Sequence, residues 1–371
     1  MPKCVLIVRS AHGELYEPAW NRALNEIGVR SAIFDAHKCL LPGIAGRVEE
    51  HYLRGPGIWR ANRRLIERVR RERPEVVLLY HGHHFNSATI QELRKWAFVT
   101  GCHCDDPFGR RGRHEYRLLM KALPYYDAYH VNRPCNVGEA KAMGIKNVSV
   151  LEQYYIPWLH FREPLTPADR AKWSSELVFV GHAEPDMRVE CFTRAIRLGV
   201  QTRLFGGEKI WRAALAPDVF ERVRPIQWIP APDVRKALSG SKIGACFVSK
   251  WNRDECTNRT WEIPACGLFL LAERTPSMQN LYIEGEEAEF FDSPEEFIDK
   301  VQFYLKNETF RQSIAERGYR RVTASGNDIF SRMKKWCADV DQWRGEGDVL
   351  CGSPSDVATA CSSQPLESRF S

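Results

Sequence analysis

The sequence predicts an α/β chain of two domains, each built on parallel strands alternating with helices, and three observations carry that expectation. Short, continuous apolar runs alternate with amphipathic stretches of helical period from the first residues onward, the pattern of parallel strands buried on both faces. The rhythm halts in an aromatic, proline-containing crossing, Gln153 to Phe161, and restarts at Leu177. At 371 residues, 44% of them hydrophobic and 27% charged, the chain is long enough for two ordinary cores and has a soluble globular composition. No apolar run approaches the roughly 20 residues that span a bilayer. The opening M-P-K-C-V-L-I-V-R-S reads as a first strand, because its short apolar run ends in Arg9 without a cleavage site.

In order, Cys4 to Val8 is a strand, Glu17 to Ile27 a helix and Ser31 to Phe34 a second strand, a βαβ opening. The turn between the first two falls at the carboxyl edge of a parallel sheet, which makes His12 and Gly13 minor site candidates. Leu40 to Arg54 reads as an irregular excursion before a helix at Ile58 to Glu72. The strand Val76 to Tyr80 ends in His81-Gly82-His83-His84, with a helix over Asn86 to Trp96. Imidazoles at a strand end can carry protons or donate to sugar hydroxyls, and His84 is the favoured candidate because it adjoins the helix entry. Phe98 to Cys104 runs into Asp105-Asp106-Pro107. Adjacent carboxylates alternate faces, so one can enter a cleft while the other caps locally. Asp106 is taken as the acceptor contact or general base. Tyr125 to Val131, a short helix at Asn136 to Met143 and the strand Val148 to Leu151 complete a first domain of residues 1–160.

The second domain, residues 161–326, restarts with Leu177 to Val180, the turn Gly181-His182, a helix from Met187 to Leu198 and the strand Thr202 to Phe205. A strand, a glycine turn and a helix form a layout that cradles phosphate. Trp228-Ile229-Pro230 precedes a helix at Pro232 to Leu238. The strands Ile243 to Val248 and Leu268 to Leu271 flank the stretch that organises the chain, Lys250 to Thr275. A helix starting near Thr257 or Asn258 points unpaired N–H groups at the preceding loop, and Arg259 adds a planar cation, a combination suited to a diphosphate. Glu262, one turn on, can accept two ribose hydroxyls. Ala288 to Phe291 and helices at Pro294 to Leu305 and Asn307 to Val322 follow. Residues 327–344 form a last amphipathic helix, and 345–371 read as a disordered tail.

The formal charge is +6. The basic cluster Arg60 to Arg73 surrounds Leu65 and Val69 at helical spacing, which reads as a solvated face, so no nucleic-acid partner is expected. Twelve cysteines without paired spacing suit reduced thiols and a cytoplasmic location. Cys102-His103-Cys104 lacks a second ligand pair at metal-binding spacing and reads as buried strand, so no metal is expected there.

Asp254, seven intervening residues and Glu262 followed by I-P-A-C-G resemble the acidic pair and E-A-x-A-C-G block of retaining glycosyltransferases with two facing Rossmann-like domains, the GT-B architecture. The run N-R-T-W-E-I-P-A-C-G, with E-R-T after the next strand and Glu284-Gly285-Glu286-Glu287 beyond, is similar to the CgeB-like (spore-maturation) branch. The likeness covers Leu177 to Arg321 well and the first 160 residues less well. It implies a metal-independent, cofactor-free glycosyltransferase of the hexosyltransferase kind. A nucleotide-sugar donor would be held by Gly181, His182, Arg188, Lys250, Thr257, Asn258, Arg259 and Glu262. Asp254 would touch the donor sugar, Asp106 or His84 would face an unidentified acceptor, and the last helix would cross back to the first domain. Departures are visible: His182 and Met187 stand where many relatives have Arg and Lys, Thr257 replaces a glycine and Asp254 a longer Glu. Arg188, Arg259 and Lys250 are the substitutes expected to meet the diphosphate. Two other readings stay open, a nucleotide-sugar epimerase or hydrolase on the same frame and a degenerate binding protein.

Overall fold

The computed structural model describes residues 1–10, 15–109 and 114–350, with side chains to residue 345. His12, Gly13, residues 110–113 and the tail from residue 351 lie outside the described residues.

Among the described residues, eleven strands form two wholly parallel sheets. The first sheet holds β1 (Cys4–Arg9), β2 (Arg30–Asp35), β3 (Val76–Tyr80), β4 (Phe98–His103), β5 (Ala128–Val131) and β6 (Asn147–Val150), in the order β2-β1-β3-β4-β5-β6. The second holds β7 (Leu177–Val180), β8 (Thr202–Phe205), β9 (Ile243–Cys246), β10 (Phe269–Glu273) and β11 (Glu289–Phe291), in the order β11-β10-β9-β7-β8. Renumbered from its own first strand, each sheet begins 2-1-3-4-5, the doubly wound order with helices on both faces. The strands read as unbroken apolar runs because both faces are buried. Leu6, Val8, Val77 and Leu79 join one core, while their neighbours Val5, Ile7, Val76 and Leu78 join the core on the opposite face. Phe179, Phe192, Trp211 and Phe247 fill one side of the second sheet.

The last helix, Ile329–Leu350, returns to the first sheet, as the resemblance implies, and its hydrogen-bonded backbone runs six residues past the expected end. Its Ile329, Met333, Trp336 and Val340 pack with Trp20 and Ile7. Asp339 accepts from Ser149 Oγ at 2.6 Å and Lys335 Nζ at 2.8 Å, and lies 3.4 Å from His130. Arg63–Glu67 and Arg68–Glu72 ion pairs line the solvent face of the helix Pro56–Glu72, whose Leu65 and Val69 are fully buried, as expected for a solvated basic helix.

Some segments differ from the sequence reading. The excursion at 40–54 contains a helix, Gly43–Tyr52. Its buried Glu49 accepts the N–H groups of Leu41 at 2.9 Å and Gly57 at 2.7 Å, tying both flanks of the helix to one carboxylate. Between the aromatic crossing and β7 lies a helix, Pro167–Trp173, capped by Thr166. Helices Glu208–Ala214 and Pro217–Val223 fill the gap after β8. Among the described residues, ten cysteines are free and no helix is long and apolar enough to cross a membrane.

Candidate functional site

In an open parallel sheet of this order, ligands gather outside the carboxyl ends of the strands, at the point where the winding reverses. For the second sheet that point lies between β7 and β9, and a cleft of about 440 Å³ opens there towards the first sheet. Gly181 and His182 leave β7 on one side, and the 249–259 loop leaves β9 on the other. A Cβ on Gly181 would come within 2.7 Å of the Phe179 ring, so the core beneath requires glycine there. The Gly181 carbonyl is fixed by Trp211 Nε1 at 3.1 Å.

Of the residues the sequence put forward, Gly181, His182, Arg188, Asp254, Thr257, Asn258, Arg259 and Glu262 line this cleft together. Glu262 is buried on the short helix Arg259–Ala265 and is held from two sides. His160 Nε2 lies 3.4 Å from its Oε1, and the Arg259 guanidinium meets its Oε2. Arg259 Nε also donates to the Val180 carbonyl at 3.2 Å. The backbone N–H groups of Asn258 and Arg259 have no partner among the described residues. Thr257 N–H is taken by Thr260 Oγ1 at 3.1 Å. Asn258 donates to the Tyr16 hydroxyl from the first sheet's side, and burial pushes that phenol up to about 12.

Three expected residues stand elsewhere. Asp106 is fully buried and caps its own turn: Oδ1 accepts from the amides of Phe108 and Gly109 and from Asn136 Nδ2, all at 3.0 Å, and Oδ2 meets Arg253 Nε at 2.6 Å. With both oxygens engaged it is no free base, and its neighbour Asp105 faces the cleft instead. His84 is buried beside Glu50, with Nε2 at 3.6 Å from the carboxylate, and borders a separate cavity with Ser10, Arg47 and His51. Lys250 turns away to the buried carboxylate of Glu273.

Arg188 lines the cleft, but as a strut. Its guanidinium spans both oxygens of Asp186 at 2.6–2.9 Å and donates to the carbonyls of His182 and Val248, each at 3.0 Å. It therefore ties the Gly181 turn to the end of β9, its charge already matched. Both arginines of the cleft thus carry carboxylate partners, while Asp105, Asp254 and Glu184 add acidic groups to the same wall.

Sequence reasoning missed His160, Tyr16, Asp105 and Arg133. His160 sits in the crossing segment, and its Nδ1 accepts the Ile156 N–H at 3.0 Å. Burial, then the charges of Arg259 and Arg235, push it down to about 3, so it is a neutral Nε2–H donor at physiological pH. Arg133, at the end of β5, reaches Asp254 Oδ1 with Nε at 2.6 Å. Burial pushes the Asp254 carboxyl up to about 6 against the pull of that cation. Asn252 Nδ2 to Asp105 at 2.9 Å and Arg253 to Glu139 at 2.8–2.9 Å complete a latch between the 252–254 loop and the first sheet's carboxyl edge.

Residues 188–338 match the family model described as glycosyl transferase-like. The fold of the whole chain is similar to that of the Anabaena protein HepE in complex with UDP and glucose, at 10% identity and a TM-score of 0.62, over 92% of this chain and 100% of that one. It is similar to sucrose-phosphate synthase from Thermosynechococcus elongatus, at 12% identity and a TM-score of 0.64, over 93% and 100%. It is also similar to α,α-trehalose 6-phosphate synthase from Burkholderia multivorans, at 12% identity and a TM-score of 0.61, over 94% and 100%. No curated protein gives a sequence match. The two-sheet architecture is therefore the GT-B fold of these neighbours.

Proposed function

We propose that this chain, with its GT-B fold and a glycosyl transferase-like second half, moves a sugar from a nucleoside diphosphate sugar to an acceptor in the cleft between its sheets. The observation that carries the reading is the buried Glu262, aimed into the cleft at the end of β9 and held between a neutral imidazole and a guanidinium. A ribose presents two adjacent hydroxyls, which a carboxylate of this kind can accept together. Once they occupy Glu262, Arg259 is released to the diphosphate, where its planar donors and the Asn258 and Arg259 amides stabilise the departing charge. That exchange gives the cleft a usable cation although Arg188 and Arg259 are both paired beforehand. No metal is required to balance the leaving group in this scheme.

Ile229 and Ala231 offer an apolar wall for the base beside the His182–Trp228 ring pair, whose centroids are 4.7 Å apart. In this reading Asp254, a cleft residue paired with Arg133, meets the donor sugar, and Asp105 takes the acceptor-facing place first given to Asp106. The CgeB-like branch remains part of this proposal, on the motif N-R-T-W-E-I-P-A-C-G alone. HepE is bound to UDP and glucose in its structure, so uridine diphosphate sugars are the first donors to try. Calorimetric titration of the protein with UDP, GDP and ADP sugars, beside Glu262→Ala and Arg259→Ala, tests the site. Binding to the parent that is weakened at least about tenfold in each variant supports it. Equal binding by parent and variants overturns it.

A second reading rests on His182 and on the prior pairing of both cleft arginines: a protein that binds the nucleotide sugar without turning it over. Donor consumption measured in the presence of candidate acceptors separates the two.

A further inference from the structure

The histidines after β3 and the Cys-His-Cys-Asp run at the end of β4 look unrelated in sequence. The sheet joins them. Tyr80 pairs in register with Cys102, and the His81 N–H continues the ladder to the Cys102 carbonyl at 2.8 Å, so the residues that follow both strands share one edge. His81, His103, Cys104 and Asp105 each turn one ligand-type atom to a common point, and these atoms lie within 4.8 Å of one another.

We propose that His81, His103, Cys104 and Asp105 form a binding site for a single divalent transition-metal ion of the zinc class. Two imidazoles, a thiol and a carboxylate are the borderline donor set that zinc and cobalt select, and that magnesium and calcium do not. Zinc bonds of about 2.0 Å to nitrogen and 2.3 Å to sulfur set ligand-to-ligand separations of roughly 3.3–3.6 Å, so closing the site needs movements of about 1 Å.

The proton count around His103 points the same way. His103 Nδ1 lies 3.1 Å from the Asp105 carbonyl, and the tautomer that donates there carries its proton on Nδ1 and leaves the Nε2 lone pair free. That atom faces two ring nitrogens, His81 Nδ1 at 3.1 Å and His83 Nε2 at 2.6 Å. With that lone pair free, a cation at this point can take His103 Nε2 together with a nitrogen of His81, while His83 stays outside the ligand set.

Outer contacts already orient the ligands. The Asp105 Oδ1 atom accepts from Asn252 Nδ2 at 2.9 Å, leaving Oδ2 on the side of Cys104 Sγ, 3.9 Å away. Arg133 Nη2 holds the Cys104 carbonyl at 2.8 Å. Such supports are what a metal site needs around its ligands. His81 adopts a left-handed φ of 68°, followed by Gly82 at 67°, a costly conformation for a non-glycine residue that sets the ring over the cluster. On metal binding the Cys104 thiol gives its proton to solvent and the thiolate becomes the sulfur ligand. The ion would pin residues 103–105 to the end of β3, and through Asp105 and Asn252 would steady the latch between the two sheets. The ion would supply no charge to the departing diphosphate in the scheme proposed above, but it would engage Asp105, the residue given the acceptor-facing place there.

The experiment uses the full chain, reduced and stripped with a chelator, and titrated with Co²⁺ and then Zn²⁺. The expected result is one Co²⁺ per chain, with a thiolate-to-cobalt charge-transfer band in the near ultraviolet and the strong visible bands of a tetrahedral ion, both abolished by one equivalent of Zn²⁺. Cys104→Ser should lose the charge-transfer band, and His103→Gln should weaken Zn²⁺ binding by about 100-fold or more. Cys135→Ser, at an exposed thiol elsewhere, should change nothing. Absence of one-to-one binding, or a thiolate band that survives Cys104→Ser, overturns the proposal. Should the variants not fold, zinc-edge X-ray absorption on the loaded parent decides: one sulfur in a four-ligand shell supports the site, and none or several overturns it.

Discussion

The Nε2 atom of His160, from the crossing between the two sheets, lies 3.4 Å from Oε1 of Glu262 at the floor of the cleft. Because Nδ1 of the same ring already accepts the Ile156 N–H, the imidazole can only donate towards the carboxylate. A connecting segment thus sets the orientation of the residue on which the proposed donor site turns.

Replacing His160 by Gln should leave a shallower acid dependence of stability. The folded histidine protonates near 3 and the unfolded one near 6.5, so between those values the unfolded chain holds the extra proton. The contribution of neutral His160 is complete above about pH 6.5 and is lost as pH falls towards 3, at up to about 1.4 kcal/mol per pH unit. Urea unfolding at pH 7.5 and pH 5 should therefore show the parent losing more stability than His160→Gln.

Arg259→Ala should weaken UDP binding by about tenfold or more and leave uridine binding nearly unchanged, because a charged hydrogen bond to the diphosphate is worth about 1.5–3 kcal/mol and the nucleoside lacks that partner. Glu262→Ala should weaken both, since both carry the ribose. Calorimetry on the two ligands reads the contrast directly.

Much of the fold was legible because the strands are buried on both faces and so appear as unbroken apolar runs. The helix Gly43–Tyr52 was hidden by its two glycines, and it is held by Glu49, whose role shows only when both flanks of the helix are in place. That Gly181, Arg259 and Glu262 come together on one cleft was readable from the local order of strand, turn and helix. Asp106 was misjudged because Arg253, which neutralises it, is 147 positions away, and His160 was passed over because Glu262 is equally invisible from its neighbourhood. The pairing of Arg188 with Asp186, two residues earlier, was within reach of the sequence and marks the arginine as a strut.

The Arg133–Asp254 pair joins the two halves with both side chains nearly buried, at 5% and 9% exposure. Arg133→Met should cost about 3–5 kcal/mol, because it leaves a carboxylate buried without its cation, and adding Asp254→Leu should restore a large part of that loss. Denaturant midpoints of the parent, the single variants and the double variant give the coupling.

Trp336→Ala, which empties a fully buried indole site against the first sheet, should cost about 3–5 kcal/mol. The loss should fall on the first half, since the cores flanking the second sheet contain no residue of this helix. Calorimetric scans should split into two transitions, the earlier one moved down and the later one unmoved.

That closing helix also imposes an order on synthesis. One face of β1 and β3, with Val5, Ile7 and Leu78, is covered in part by residues some 330 positions further along the chain. A nascent chain with its first 300 residues outside the ribosome has made the whole first sheet but not its cover. The second sheet's two cores by then lack little beyond Val301, Tyr304 and Ile314. The half translated first is therefore the half completed last, and its uncovered face is what a chaperone would find during the interval.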